Sequence, residues 1–217
     1  MQNSNEFFED LEIYRNPAQM RVYFEMKRTE IIDNKEYVKL ARLKKGRYKE
    51  FLEEFYPLYL FSQTKYVSSD SEIRLVVGNQ RYDGLLKLPS GHIQKIEITE
   101  YIDGHKENMD AKKINERGYS EMRIGDTRDL KTKANDYMEK VIENANRKAQ
   151  KDYQGTSIII LINSLLHLDI WELKTDEFIV RLLSRLRELQ FNSDAVYLLV
   201  RNSDPVEDIN NNIYKVI

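Results

Sequence analysis

The chain has no cysteine, which excludes a disulfide framework and any thiolate zinc site. Glycines are few, eight in 217 residues, and none are grouped as a phosphate-cradling loop. The three histidines, His92, His105 and His167, share no metal-ligand spacing, and no Ser–His–Asp arrangement can be argued. No apolar run approaches the roughly 18 residues of a membrane span. The opening MQNSNEFFED has neither a basic n-region nor the apolar core of a signal peptide. Net charge is also small, −2. A soluble cytoplasmic protein with no membrane partner is expected, and no repeat or low-complexity tract complicates it.

What is present is enough for one domain, or one domain with a small appendage, and for a core that needs no staples. Charge is unevenly spread. Residues 35–49, KEYVKLARLKKGRYK, carry seven basic side chains against one acid, Glu36. Lys39, Arg42, Lys44, Lys45, Arg47 and Lys49 are therefore candidates for phosphate contacts, because phosphates respond to local charge. The same composition also describes a solvated helix face. Tyrosine is abundant, 14 residues, and Tyr48, Tyr56, Tyr59 and Tyr66 near this block could stack on single-stranded nucleic acid or fill a core.

Periodicity orders the elements. NPAQMRVYFEMKRTE predicts a helix with an early proline. DNKE at 33–36 reads as a cap, with Asp33 at the N-cap and Glu36 three residues on. A helix then runs through the basic block, interrupted near Gly46. Tyr48, Phe51, Leu52 and Phe55 continue an apolar stripe until Pro57 ends or bends it. SEIRLVV, QRYDGLLKL and HIQKIEITEY are strand-like runs separated by Gly78-Asn79 and Pro89-Ser90-Gly91, which predicts an antiparallel meander. A charged helix over 103–124 and a long helix from Thr127 follow. On the latter Leu130, Ala134, Tyr137, Val141 and Ala145 share a face. SIIILIN and AVYLLV are buried strands around an amphipathic helix, as in a parallel crossover. The sum is an α/β protein with a mixed sheet.

The hairpin around PSG raises a chemical question. With a three-residue loop, cross-strand partners have numbers summing to 180, so Asp83 stands opposite Glu97 and Leu85 opposite Lys95. Opposed residues have Cβ atoms about 4.5–5.5 Å apart, and like charges there are destabilising. On the second arm Ile96 and Ile98 face one way, while Lys95, Glu97 and Thr99 face the other. A divalent cation would account for the acids, since Mg²⁺ is held by one or two carboxylates plus water and phosphate oxygens. A shifted register, or neutralisation by Arg81 and Lys95, would account for them without a metal.

This order of elements, with Asp83 in RYDG on the second strand and Glu97-Ile98-Thr99 in IEIT on the third, resembles the PD-(D/E)xK nuclease superfamily. The resemblance covers roughly residues 46–163. It implies a restriction-endonuclease-like αβββαβ core, a mixed central sheet flanked by helices. The division would be a helical N-terminal extension with its basic segment (1–45) and one nuclease-like domain (46–217). It also implies Mg²⁺, replaceable by Mn²⁺, on Asp83 and Glu97. A lysine would orient or activate the attacking water. The chain departs from the motif twice: Tyr82 stands at the proline position and Thr99 at the lysine position. Thr99 can hydrogen-bond a water but lends no charge. Lys95, on the face of Glu97, is one substitute. Lys148 is another, because it falls on the apolar stripe of the long helix, where a lysine must snorkel or find a partner; Lys151 lies just off that stripe. In the superfamily the lysine is sometimes supplied from the helix after the third strand, a placement that Lys148 resembles. Similar folds also draw a further acid from the first helix, where Glu50, Glu53 and Glu54 lie off the stripe and Glu54 is nearest its edge.

The expected function is a metal-dependent nuclease acting on DNA, with RNA less favoured and a homodimer as the candidate assembly. The alternative is an inactive relative that binds nucleic acid or protein. A third reading is an unrelated α/β protein whose hairpin acids are surface decoration.

Overall fold

The structure, a computed structural model, describes residues 4–119, 130–163, 175–201 and 209–217. The chain forms two compact units, Met1–Ile93 with Ile102–Gly125, and Gln94–Tyr101 with Asp126–Ile217. The fold is mixed α/β, with six strands among the described residues in antiparallel and parallel pairings and helices in both units. No helix among the described residues is long and apolar enough to cross a membrane.

The first unit begins with α1 (Ser4–Phe7), α2 (Pro17–Asp33) and α3 (Lys35–Arg42). Asn16 and Gln19 form a reciprocal capping box at the start of α2, with bonds of 2.9 and 3.0 Å. The cap of α3 is Asn34 rather than the expected Asp33. Asp33 is still helical in α2, whereas Asn34 is extended (φ −118, ψ 110) and its side chain accepts from the Glu36 N–H at 3.0 Å. After α3 the chain reverses through Lys44 (φ 48) and Gly46 (φ 56). A lysine in the left-handed region costs about 1 kcal/mol; ion pairs of 2.7 Å to Glu53 and 2.5 Å to Glu107 offset it.

The next helix is composite: α4 (Tyr48–Glu50), a π-helical turn (Phe51–Phe55) and α5 (Tyr56–Ser62). Pro57 does not end it. The proline falls in the first turn of α5, where a missing N–H is tolerated. The widened turn ahead of it, closed by the Tyr56 N–H on the Phe51 carbonyl, lets the helix continue. Of the expected stripe, Tyr48, Phe51 and Phe55 are buried and Leu52 is half-buried; with Tyr59 the aromatic members meet Phe8 and Phe24 in an aromatic core.

Strands β1 (Glu72–Leu75) and β2 (Gly84–Lys87) pair antiparallel, Ile73 with Leu86 and Leu75 with Gly84. Both are shorter than the sequence runs. The Gly78-Asn79 connection opens into a wider loop because the Gln80 side chain bonds the Val76 and Tyr82 carbonyls at 2.6 and 3.0 Å. Gly84 is required by packing: a Cβ there would lie 2.8 Å from both methyls of Leu58. At PSG, Leu88 donates to the His92 carbonyl (2.9 Å), the bond a three-residue loop makes. Helix α6 (Gly104–Arg117) is capped by Asp103 and ends at Gly118 (φ 84).

In the second unit β3 (Ile93–Glu100) runs parallel to β4 (Asp152–Asn163), β4 parallel to β5 (Asn192–Arg201), and β5 antiparallel to β6 (Ile213–Lys215). The expected parallel pairing of the two apolar strands is present. Helices α7 (Leu130–Ala149) and α8 (Thr175–Arg187) cover one face. Ala134, Tyr137, Val141 and Ala145 of α7 join Phe178 and Leu182 of α8 over Ile158, Ile160, Ile162, Val196 and Leu198. Ile159, Leu161 and Leu199 are also buried, so β4 has no wet face. The expected start of the long helix at Thr127 lies outside the described residues.

Candidate functional site

In the second unit the polar residues of β3 are met by the helix above them. Alternation puts Glu97 and Thr99 on one face, about 6.6 Å apart along the strand. On α7, Asn144 and Lys148 are four residues apart, one turn or about 6 Å. The two spacings match, so two pairs form side by side. Asn144 Nδ2 donates to Thr99 Oγ1 at 2.8 Å, and Lys148 Nζ forms an ion pair with Glu97 Oε1. The tyrosine at the start of β4, Tyr153, donates its hydroxyl to the same Glu97 oxygen at 3.2 Å.

The strand groups and Tyr153 are withdrawn from water, while Asn144 and Lys148 are half-buried. Glu97 is 7 % exposed and Thr99 6 %. Burial works against the Lys148 charge, but the hydrogen bond and charge of Glu97 outweigh it and hold the ammonium above its usual range. Burial, then the Glu97 charge, pushes the Tyr153 phenol above its ordinary range, so it stays neutral. The arrangement therefore holds a fixed cation beside a fixed carboxylate, with a neutral hydroxyl as a second donor.

The first unit gathers acids. Glu54 lies in the π-helical turn, half-buried, and its carboxyl is pushed up to about 7, first by burial, then by the charges of Asp83 and Glu50, with Lys49 opposing. Glu50 Oε2 is buried and has no hydrogen-bond partner among the described residues. Glu53, by contrast, is taken up by Lys44 at 2.7 Å and Lys49 at 4.0 Å. Asp83 immediately precedes β2, and its carbonyl accepts from Val76 at 2.9 Å. Glu54 and Asp83 are thus electrostatically coupled, and the coupling is repulsive.

An oxygen-only donor set whose neighbouring charges raise the Glu54 carboxyl suits a hard divalent cation. Among the described residues no three His, Asp or Glu side chains are grouped closely enough to hold a cation unaided. The set present fits Mg²⁺ through one or two carboxylates completed by water and phosphate.

The remaining candidates are dispersed. Lys95 is exposed on β3, aligned with Thr156 of β4, and Lys151 is exposed just past α7. The basic block is largely engaged within its own unit. Lys39 bonds Glu36 at 2.7 Å, Arg47 bonds Glu12 at 3.4 Å and Arg42 bonds Asn115 at 3.4 Å. Lys44 and Lys49 share Glu53, and Lys45 is exposed. His92 lies in the PSG turn and His105 is exposed at the start of α6; His167 is outside the described residues. Asn144 and Tyr153 were not singled out by the sequence. Asn144 carries a signal, its position four residues before Lys148, while Tyr153 carries none by simple alternation. Compared with family models, curated proteins and solved structures, the chain has no significant match in any of the three.

Proposed function

We propose that the chain is a Mg²⁺-dependent nuclease that hydrolyses phosphodiester bonds of DNA, with RNA as the lesser substrate, on a restriction-endonuclease-like core. The observation that carries the reading is the pair that half-buried Lys148 makes with buried Glu97. A buried ion pair is a poor source of stability, since apolar side chains of similar volume fill such a site as well or better. Its value is chemical: it keeps a positive charge on the helix after the third strand, where similar folds sometimes supply the lysine that IEIT lacks. The order of composite helix, β1, β2, β3, helices and β4 supports the same core. Asp83 and Glu97 are assigned to the cation, with Glu54 as a further ligand.

Hydrolysis needs a water oxygen to bond phosphorus while the bond to the leaving nucleoside oxygen breaks and that oxygen gains a proton. When bound, the cation supplies an activated water and stabilises charge on the phosphate. Lys148 stays protonated, so it acts as a hydrogen-bond donor and positive charge that orients the water or a phosphate oxygen, not as a base. Glu54, whose carboxyl is pushed up to about 7 by burial and by the charges of Asp83 and Glu50, has to shed its proton to serve as the further ligand. Exposed Lys45 and the rim of the basic block contribute backbone phosphate contacts.

The test is cleavage of DNA and of RNA by the full chain with Mg²⁺, Mn²⁺ or a chelator. Metal-dependent cleavage is expected, and Asp83→Ala and Glu97→Ala should each abolish it while far-ultraviolet circular dichroism stays unchanged. Full activity in either variant would sink the assignment. A second reading, an inactive relative that binds nucleic acid or protein, is favoured by the same pair seen otherwise: Lys148 already neutralises Glu97, and Thr99 is occupied by Asn144. Binding of nucleic acid without cleavage under any divalent cation, unaffected by Asp83→Ala, would establish that reading.

A further inference from the structure

We propose that Tyr153 is a positioning residue that, together with Lys148, grips Glu97 by one oxygen so that the other is presented to the cation. The inference rests on the metal-dependent reading above. Both donors converge on Glu97 Oε1, and among the described residues none reaches Oε2. A carboxylate gripped through one oxygen cannot rotate freely, and its second oxygen keeps lone pairs for a ligand.

The backbone around Tyr153 is shaped to deliver its hydroxyl. In β4 the even-numbered Ile158, Ile160 and Ile162 face α7, and strict alternation would send odd-numbered residues to the opposite face. Tyr153 is odd-numbered yet packs in the same cluster as those isoleucines. The strand is irregular between Tyr153 and Ser157, and Gly155 takes φ 75. Strand irregularities of this kind re-aim side chains. The distortion is fastened by two acids: the Gly155 N–H donates to Asp194 Oδ1 at 2.9 Å, and Asn192 Nδ2 donates to Asp152 Oδ1 at 2.8 Å. Without this kink the phenol would lie on the far side of the sheet from Glu97.

The test compares the full chain with Tyr153→Phe, which keeps the ring and removes the donor. Mn²⁺ affinity is read from the electron paramagnetic resonance of free Mn²⁺, and cleavage is titrated with Mg²⁺ and with DNA separately. Loss of a hydrogen bond to a ligating carboxylate weakens metal affinity about 10-fold or more. The variant should therefore show an approximately 10-fold higher Kd for Mn²⁺ and a raised activation constant for Mg²⁺, with KM for DNA unchanged. Ile160→Val, which loosens the same core, should move neither metal constant. Unchanged metal constants in Tyr153→Phe, or an equal loss in Ile160→Val, would overturn the positioning role while leaving the nuclease reading intact. A wild-type chain that neither binds Mn²⁺ nor cleaves would overturn both.

Discussion

At the residue scale, Glu54 gives the sharpest pH-dependent expectation. Its carboxyl is raised from an ordinary 4.5 to about 7 in the folded chain, so the folded state binds that proton more tightly than the unfolded state does. By linkage its contribution to stability is full below about 4.5, declines as pH rises through about 7, and is flat above that. Glu54→Gln should remove this decline, which is checked by urea midpoints across pH 4–8. A bound cation competes with the same proton, and in wild type its affinity should rise with pH up to about 7 and then level. Lys148 was legible at this scale because a lysine on a helical apolar stripe has to snorkel or find a partner, and it finds Glu97. Thr99 was legible only as a departure from a motif. Its actual role, as acceptor for Asn144, depends on a helix 45 residues away in the chain.

At the element scale, the match between two strand residues and one helical turn decides which side chains meet. It brings Thr99 to Asn144 and Glu97 to Lys148 together, so neither contact is independent of the other. The composite helix of the first unit shows the opposite situation, in which a local rule is set aside. Pro57 would be expected to stop a helix, but a π-helical turn absorbs the misfit and carries Glu54 on it. The RYDG turn depends on close approach between elements. Gly84→Ala would drive a methyl to within 2.8 Å of both Leu58 methyls and 3.3 Å of the Arg74 carbonyl. Overpacking of this kind costs about 1–3 kcal/mol, which chemical denaturation should register. Because Asp83 is the adjacent residue, the same substitution should also lower metal-dependent activity. Gly84→Ala combined with Leu58→Ala, which opens the space, should recover part of that activity.

At the scale of the whole molecule, a ligand that binds only the folded chain stabilises it by mass action. Mg²⁺ or Mn²⁺ at 100 times its Kd should add about 2.7 kcal/mol and raise the melting temperature, and Asp83→Ala or Glu97→Ala should abolish the rise. No rise in wild type would favour the inactive relative. The mixed α/β character, the aromatic stripe of the composite helix, the apolar β4 and the parallel β4–β5 pairing were all readable from the sequence, because periodicity reports burial directly and β4 is buried on both faces. The Asn34 cap, the π-helical turn and the irregular start of β4 were not readable, because each is a local backbone choice to which apolar periodicity is blind. By itself the sequence determined where apolar faces fall, and therefore that Glu97 and Thr99 share a strand face and that Lys148 lies on a buried helical stripe. Only the tertiary structure decided which of several lysines meets Glu97, that Asn144 occupies Thr99, and that Tyr153 reaches the carboxylate at all. Periodicity states which way a side chain points from its own element, whereas a hydrogen bond needs the partner's position as well, and that is fixed by packing.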